Sequence, residues 1–168
     1  MWKSALIAGA FLAVLFASSR AQADLGRPRQ GFGIGLGMGT GVSGVSAKLP
    51  TGPGAFQGVA GVWGSGGGEG RYTHIDGIAL SIDYLFEMPT LASSPYFNLD
   101  WSFGLGGGVG VSTNGGTPGV AAAGIAGLEF NFTRAPFDIV LEYRPSVGIL
   151  PGPGIELIGF TAHVRIWF

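Results

Sequence analysis

The sequence contains no cysteine, so no disulfide, thiolate nucleophile or cysteine-linked lipid anchor can form. Charge is also scarce: Asp, Glu, Lys and Arg make up 11% of the 168 residues, whereas a soluble domain carries about 25%. The formal net charge is −1 and no basic stripe is present, which excludes a nucleic-acid-binding surface. The chain therefore has too few charges to cover a water-facing exterior.

Long apolar runs are missing as well. After residue 23 no uninterrupted apolar run approaches the 18 or so residues that suggest a helical membrane span. Yet 46% of the residues are hydrophobic and the mean hydropathy is +0.41, which excludes disorder despite 33 glycines and 10 prolines. A closed β-barrel is the other way for a hydrophobic chain to live in a membrane, because it satisfies every backbone group.

The first 23 residues predict a cleaved secretory signal. They contain a cationic Lys3, an uncharged apolar run and a small-x-small ending at Ala23, which is the pattern of a signal-peptidase site. The apolar run is shorter than the roughly 20 residues of a spanning helix. We therefore expect an exported protein with a short polar lead at 24–30 and one transmembrane β-barrel domain at 31–168.

The C-terminal segment, residues 155–168, alternates between two kinds of side chain. Val164 and Phe168 fall on the apolar parity, whereas His163 and Arg165 fall on the other. Because successive side chains of a strand point to opposite faces, the segment predicts a strand with one face toward lipid or a core and one toward a polar interior.

Seven further segments show the same two-residue period between turn-forming or glycine-rich stretches. The first has glycine at every inner position, which lets bulky side chains from across the lumen approach its backbone. The predicted fold is all-β, an eight-stranded antiparallel up-and-down transmembrane β-barrel. Its strands cover residues 31–39, 44–49, 55–63, 74–87, 96–111, 120–132, 137–144 and 155–168.

The register of the third strand stays open, because apolar residues occur on both of its parities. The competing sets for the outward face are Phe56, Ala60 and Val62 on one parity and Val59 and Trp63 on the other. The connections after the third, fifth and seventh strands are long, and those after the second, fourth and sixth are mostly shorter. Outer-membrane barrels show this alternation, with the long loops outside the cell and the short turns in the periplasm.

Four segments of the sequence carry a family resemblance together with the aromatic terminus. They are GIGLG, TGVSGVSAKL, SIDYLF and FDIVLEYRPSV. The chain resembles the small eight-stranded outer-membrane β-barrel proteins of the OmpA/OmpX-like superfamily, and especially a subgroup of unknown function. The resemblance implies a Gram-negative outer-membrane location, contact with lipopolysaccharide and phospholipid, and a monomer. It also implies that Phe168 is the insertion signal read by the envelope assembly machinery. These motifs are structural and imply no activity.

The inward parity collects most of the charged residues of the predicted barrel. In an eight-stranded barrel the interior is just wide enough for side chains to fill it, and buried charges need partners. We expect a structural plug; a narrow cation-preferring pore is the alternative. The predicted lumen charge network consists of Lys48, Asp83, Glu87, Asp100, Glu129, Asp138, Glu142, Arg144, His163 and Arg165.

Aromatic residues collect at the predicted periplasmic ends of the strands. Amphipathic rings favour the membrane interface, so these residues predict an aromatic girdle. Its members are Tyr84, Phe86, Phe97, Phe132, Phe137, Trp167 and Phe168.

Other functions remain as alternatives to a structural role in the envelope. A lipid-modifying enzyme would need a base such as His74 beside Asp76, with a nucleophile from a loop, for example Ser65 or Ser112. Adhesion would use the glycine-rich external loops, which are poor in the aromatic and arginine anchors of binding sites. A soluble lipocalin-like barrel would turn its apolar face inward. We expect no enzyme activity, no cofactor and no metal, because the histidines lack the spacing of a zinc site.

Overall fold

The computed structural model describes residues 31–65, 74–113 and 115–168. The predicted signal and the polar lead lie outside the described residues, as does most of the third-to-fourth strand connection. Within the described ranges every regular element is a β-strand. No helix in these parts of the chain is long and apolar enough to cross a membrane.

The described residues form eleven strands in one sheet. In chain order they are β1 (Gly33–Gly39), β2 (Val42–Thr51), β3 (Gly54–Ser65), β4 (His74–Glu87), β5 (Ala92–Ser93), β6 (Phe97–Ser112), β7 (Gly119–Phe132), β8 (Phe137–Tyr143), β9 (Ser146–Leu150), β10 (Gly154–Glu156) and β11 (Phe160–Trp167).

Eight of these strands close into a ring. Strands β1, β2, β3, β4, β6, β7, β8 and β11 each pair antiparallel with the next, and β11 returns to pair with β1. The chain thus enters and leaves at one end, here called the lower end, which also carries the β2–β3 and β7–β8 turns. The predicted eight-stranded antiparallel up-and-down barrel is confirmed.

The largest difference from the sequence prediction lies at residues 145–154, which we predict as a loop. Instead, the chain continues beyond Pro145 as β9, which pairs with the upper part of β7 at Val120–Ala123 and forms a hairpin with β10. Proline has no N–H to donate to a strand ladder. Pro145 therefore separates β8 from β9, but the chain continues along β7 after it. The proline and glycine residues of this segment are typical of a loop, and for this reason the sequence does not predict the extension.

The first two hairpins are also tighter than predicted. β1 and β2 are joined by Thr40 and Gly41 alone, and β2 therefore begins at Val42. At the lower end Thr51 pairs with Gly54 around a turn whose first residue, Gly52, has φ of +69°. Glycine adopts this left-handed conformation at little cost, which explains the residue at that turn.

The two faces of the barrel are chemically opposite. Apolar side chains point outward around the ring, whereas most of the buried side chains inside are polar or charged. The register of β3, left open by the sequence, is settled: Phe56 and Val62 point outward, and Gln57 and Val59 are buried inside. Lys48 of β2 points into the lumen and pairs directly with Gln57 of β3. Because directly paired residues share a face of the sheet, Gln57 also points inward.

The inner face of β1 is backbone only. Gly33, Gly35, Gly37 and Gly39 pair with Trp167, Arg165, His163 and Thr161 of the adjacent strand β11. A Cβ at Gly33 would lie 3.0 Å from the Trp167 ring, and one at Gly37 would lie 2.8 Å from His163 Nδ1. The predicted close approach to glycine therefore comes from the neighbouring strand and not from across the lumen.

Candidate functional site

A connected set of polar side chains fills the lower half of the lumen. It takes residues from six of the eight barrel strands and one from the segment that follows β8. We call this set the lumen network. Its members are Ser46, Lys48, Gln57, Asp83, Glu87, Glu129, Asp138, Glu142, Arg144, His163, Arg165 and Trp167.

Arg165 lies at the centre of the lumen network. Its Nη1 donates to Gln57 Oε1 at 2.6 Å, and its Nη2 lies 3.2 Å from Glu129. Its Nε and Nη2 both reach Asp138, each at 3.1 Å. The planar guanidinium suits this forked arrangement, since its five donors can serve several acceptors at fixed angles.

The lower part of the network is held by Lys48. Its Nζ lies 2.6 Å from Glu129 and 2.7 Å from Glu87. Lys48 is buried, whereas Glu87 is partly exposed at the lower mouth of the barrel. The ion pair with Glu129 joins β2 to β7, on the other side of the lumen, so the network crosses the barrel.

The upper part is held by Arg144. Its two terminal nitrogens donate to the two carboxylate oxygens of Asp83 at 2.7 and 2.8 Å, a bidentate geometry. A further contact of 3.3 Å reaches Glu142. Arg144 follows β8 and Asp83 lies on β4, so this ion pair also crosses the lumen.

Between these ion pairs, His163 joins a serine to a glutamate. Its Nδ1 lies 2.9 Å from Ser46 Oγ and its Nε2 lies 3.2 Å from Glu142 Oε2. Gln57 donates to the other oxygen of Glu142 at 2.7 Å. Sequence reasoning missed both Ser46 and Gln57, the former because a small polar residue gives no signal and the latter because the β3 register was open.

One predicted member lies apart. Asp100 accepts hydrogen bonds from Thr90 and Asn131 near the lower mouth, and none of its described hydrogen bonds reaches a member of the lumen network directly. The network itself holds five carboxylates and three fixed cations, which are Lys48, Arg144 and Arg165, so the carboxylates outnumber the fixed cations by two. Its carboxylates are therefore not fully neutralised by fixed charge.

Trp167 corrects the predicted girdle. It is buried, and its Nε1 donates to Asp138 Oδ2 at 2.6 Å, while Arg165 lies over its ring at 5.9 Å. The physical reason is parity: Trp167 shares its face with Arg165 and His163 and thus points inward. It belongs to the lumen network and not to the outward aromatic residues.

The other predicted girdle residues occupy outward positions near the lower end. Each contacts a neighbouring ring, with centroid separations from 4.2 Å for Phe132 and Phe137 to 6.5 Å for Phe97 and Phe132. Rings that the prediction omitted extend this belt. The outward aromatic residues of this lower belt that contact one another are Phe32, Phe56, Tyr84, Phe86, Phe97, Trp101, Phe103, Phe130, Phe132, Phe137 and Phe168.

The site offers no metal-binding geometry in the part of the chain that the structure describes, where no group of three or more His, Asp or Glu side chains could hold an ion. Comparison with protein-family models, with curated proteins and with solved structures found no match.

Proposed function

We propose that the chain is an integral protein of the bacterial outer membrane, with a side-chain-filled lumen and a structural role in the envelope. One observation carries the proposal: apolar side chains lie outside, and polar side chains with ionisable groups lie inside. Leu105 is 72% exposed and Ile82 57% on the outer face, whereas Arg165 and Asp138 are 0% exposed in the lumen. Water would penalise such an exterior, and lipid favours it.

The soluble alternative fits this arrangement poorly. A lipocalin-like barrel encloses an apolar cavity and shows water a charged surface. Here the large apolar side chains of β4, β6 and β11 are exposed. Soluble monomers rarely expose contiguous apolar patches larger than a few hundred Å². The aromatic belt at one end further supports a membrane interface at that level.

The filled lumen argues against a pore. Ion pairs from Lys48 to Glu129 and from Arg144 to Asp83 cross the interior at two levels. An ion would have to displace these charge-assisted contacts in order to pass. We therefore propose a barrel that does not conduct.

Refolding of residues 24–168 into detergent and into liposomes tests the proposal. We expect a band whose gel migration changes on boiling, which is the behaviour of a folded membrane barrel, and no single-channel conductance from the same sample. Small cation-selective steps would contradict the filled lumen. A chain that stays soluble without detergent and shows no mobility shift would contradict the membrane assignment.

The contacts of Ser46, His163 and Glu142 resemble those of a hydrolase triad and favour an enzyme as the second candidate. A nucleophile must meet its substrate, however, and Ser46 and His163 are both fully buried. Glu142 is also shared with Gln57 and Arg144. We propose a structural role for these three residues.

Reaction of the folded barrel with a fluorophosphonate probe distinguishes the two roles. We expect no labelling of Ser46 in the folded barrel, because its hydroxyl is enclosed by the lumen network. Labelling that disappears in Ser46→Ala but persists in Ser43→Ala would instead identify a catalytic serine. The rim alternative depends on His74, whose side chain lies outside the described structure. Adhesion depends on the two external loops at 64–73 and 112–119, of which residues 66–73 and 114 also lie outside it.

A further inference from the structure

A shallow apolar groove of about 310 Å³ lies on the outer wall, in the lower half of the barrel, across β1 to β4. Large residues that are about half exposed surround two small ones. The small residues are Ala47 and Gly58, and the large residues are Phe32, Leu49, Phe56 and Ile82.

The register of the strands produces this recess. Ala47 on β2 pairs directly with Gly58 on β3, and Gly58 pairs with Ile82 on β4, so two small residues are neighbours on the outer face. Two residues lower on the same face, Leu49 pairs with Phe56. The nearest atom to a Cβ built on Gly58 is the Ser81 carbonyl oxygen at 3.2 Å, so bare backbone forms this part of the floor.

The occupant of the groove must be apolar and must need no backbone partner. Strands β2 and β3 are paired on both edges along the groove, which leaves them no free ladder positions to offer an added peptide strand. A peptide would also bring its own polar groups into an apolar recess, where each unsatisfied group is costly. A hydrocarbon chain brings none.

The position of the groove points to the source of that chain. Its lower edge meets the aromatic belt, since Phe32 stacks on Phe168 and Phe56 packs edge-on against Tyr84. An interfacial belt marks the depth at which lipid esters and head groups lie. A lipid whose head group is at the belt would therefore extend its tail upward along Ala47 and Gly58.

We propose that this groove binds one acyl chain of a phospholipid from the leaflet at the lower end of the barrel. The inference rests on the proposed function, because only a membrane offers acyl chains to the outer wall. The groove volume lies at the lower limit of the roughly 300–1,000 Å³ of small-molecule sites, enough for part of a chain but not for a whole lipid.

Native mass spectrometry tests the groove. The mature barrel is reconstituted with dioleoylphosphatidylethanolamine, extracted in mild detergent and compared with Ala47→Leu. We expect the wild-type barrel to retain one phospholipid. The lipid-bound fraction of Ala47→Leu should be about tenfold lower, because the isobutyl side chain of leucine fills the floor of the recess. The matched control is Ala122→Leu, an outward alanine of β7 away from the groove, which should retain the lipid.

The outcomes separate the groove from the membrane assignment. Three outcomes would overturn the lipid site but leave the membrane assignment intact. They are equal lipid retention in wild type and Ala47→Leu, equal loss of lipid in Ala47→Leu and Ala122→Leu, and a heat-modifiable wild-type barrel that retains no lipid. A wild-type dimer that Ala47→Leu dissociates would assign the recess to a second copy and also overturn the proposal. If no variant gives a heat-modifiable band, the proposed function fails together with the groove.

Discussion

Replacing Arg165 with Met should destabilise the barrel by about 3–5 kcal/mol, the usual cost of removing one partner of a buried ion pair. Asp138, Glu129 and Gln57 all accept from this guanidinium inside the lumen. Without it, the indole N–H of Trp167 is the one side-chain donor left to Asp138 within the part of the chain that the structure describes. Urea titration of the refolded barrel, followed by unboiled gel migration, measures the loss.

Two further variants show whether pairing is the source of this loss. Arg134→Met removes an exposed cation that lies over Tyr96, outside the lumen network, and should leave the urea midpoint unchanged. Adding Asp138→Asn to Arg165→Met should recover part of the lost stability, because both charged partners are then absent. A double variant no more stable than Arg165→Met would show that packing, and not charge, explains the effect.

Substituting Gly35 with Ala should cost about 3 kcal/mol, the upper end of overpacking penalties, or prevent closure. A Cβ at this position would lie only 1.9 Å from the Val164 carbonyl oxygen and 2.7 Å from the Arg165 Cα. Both are main-chain atoms of β11, so no side-chain rotation relieves the clash. The two strands that close the ring would have to separate, and the fraction of heat-modifiable barrel should fall.

Gly41→Ala is the matched control for this prediction. Gly41 lies in the β1–β2 turn, and a Cβ there would have no neighbour within 4 Å. We expect it to refold as wild type does. Wild-type stability in Gly35→Ala would mean that the β1–β11 seam is looser than the register implies.

Much of the fold follows from the two-residue period of the sequence. Alternation determines which side chains share a face, so the strand count and the parity of Lys48, Glu142 and Arg165 are accessible without a structure. It fails where the period is disturbed. Because of Pro145, β9 is not predicted from the sequence. Because apolar residues of β3 occur on both parities, the inward position of Gln57 is not predicted either.

The ion pairs and hydrogen bonds between lumen residues could not be predicted from the sequence in the same way. Parity gives the face of a side chain but not its height along the barrel, and contacts across the lumen depend on strand tilt and stagger. Lys48 could meet any inward carboxylate on these grounds, yet it pairs with Glu87 and Glu129. The misassignment of Trp167 has another cause, since its aromatic character outweighed the parity that places it beside Arg165.

The glycine-only inner face of β1 has a consequence for the shape of the interior. Seen from within, this barrel has side chains on seven walls and bare backbone on the eighth, where Gly33, Gly35, Gly37 and Gly39 face β11. The missing side chains give the bulky residues of β11 a space that a uniformly lined ring of eight strands would lack. The polar side chains on this side of the lumen therefore come from β11 alone, and β1 contributes only the space that they occupy.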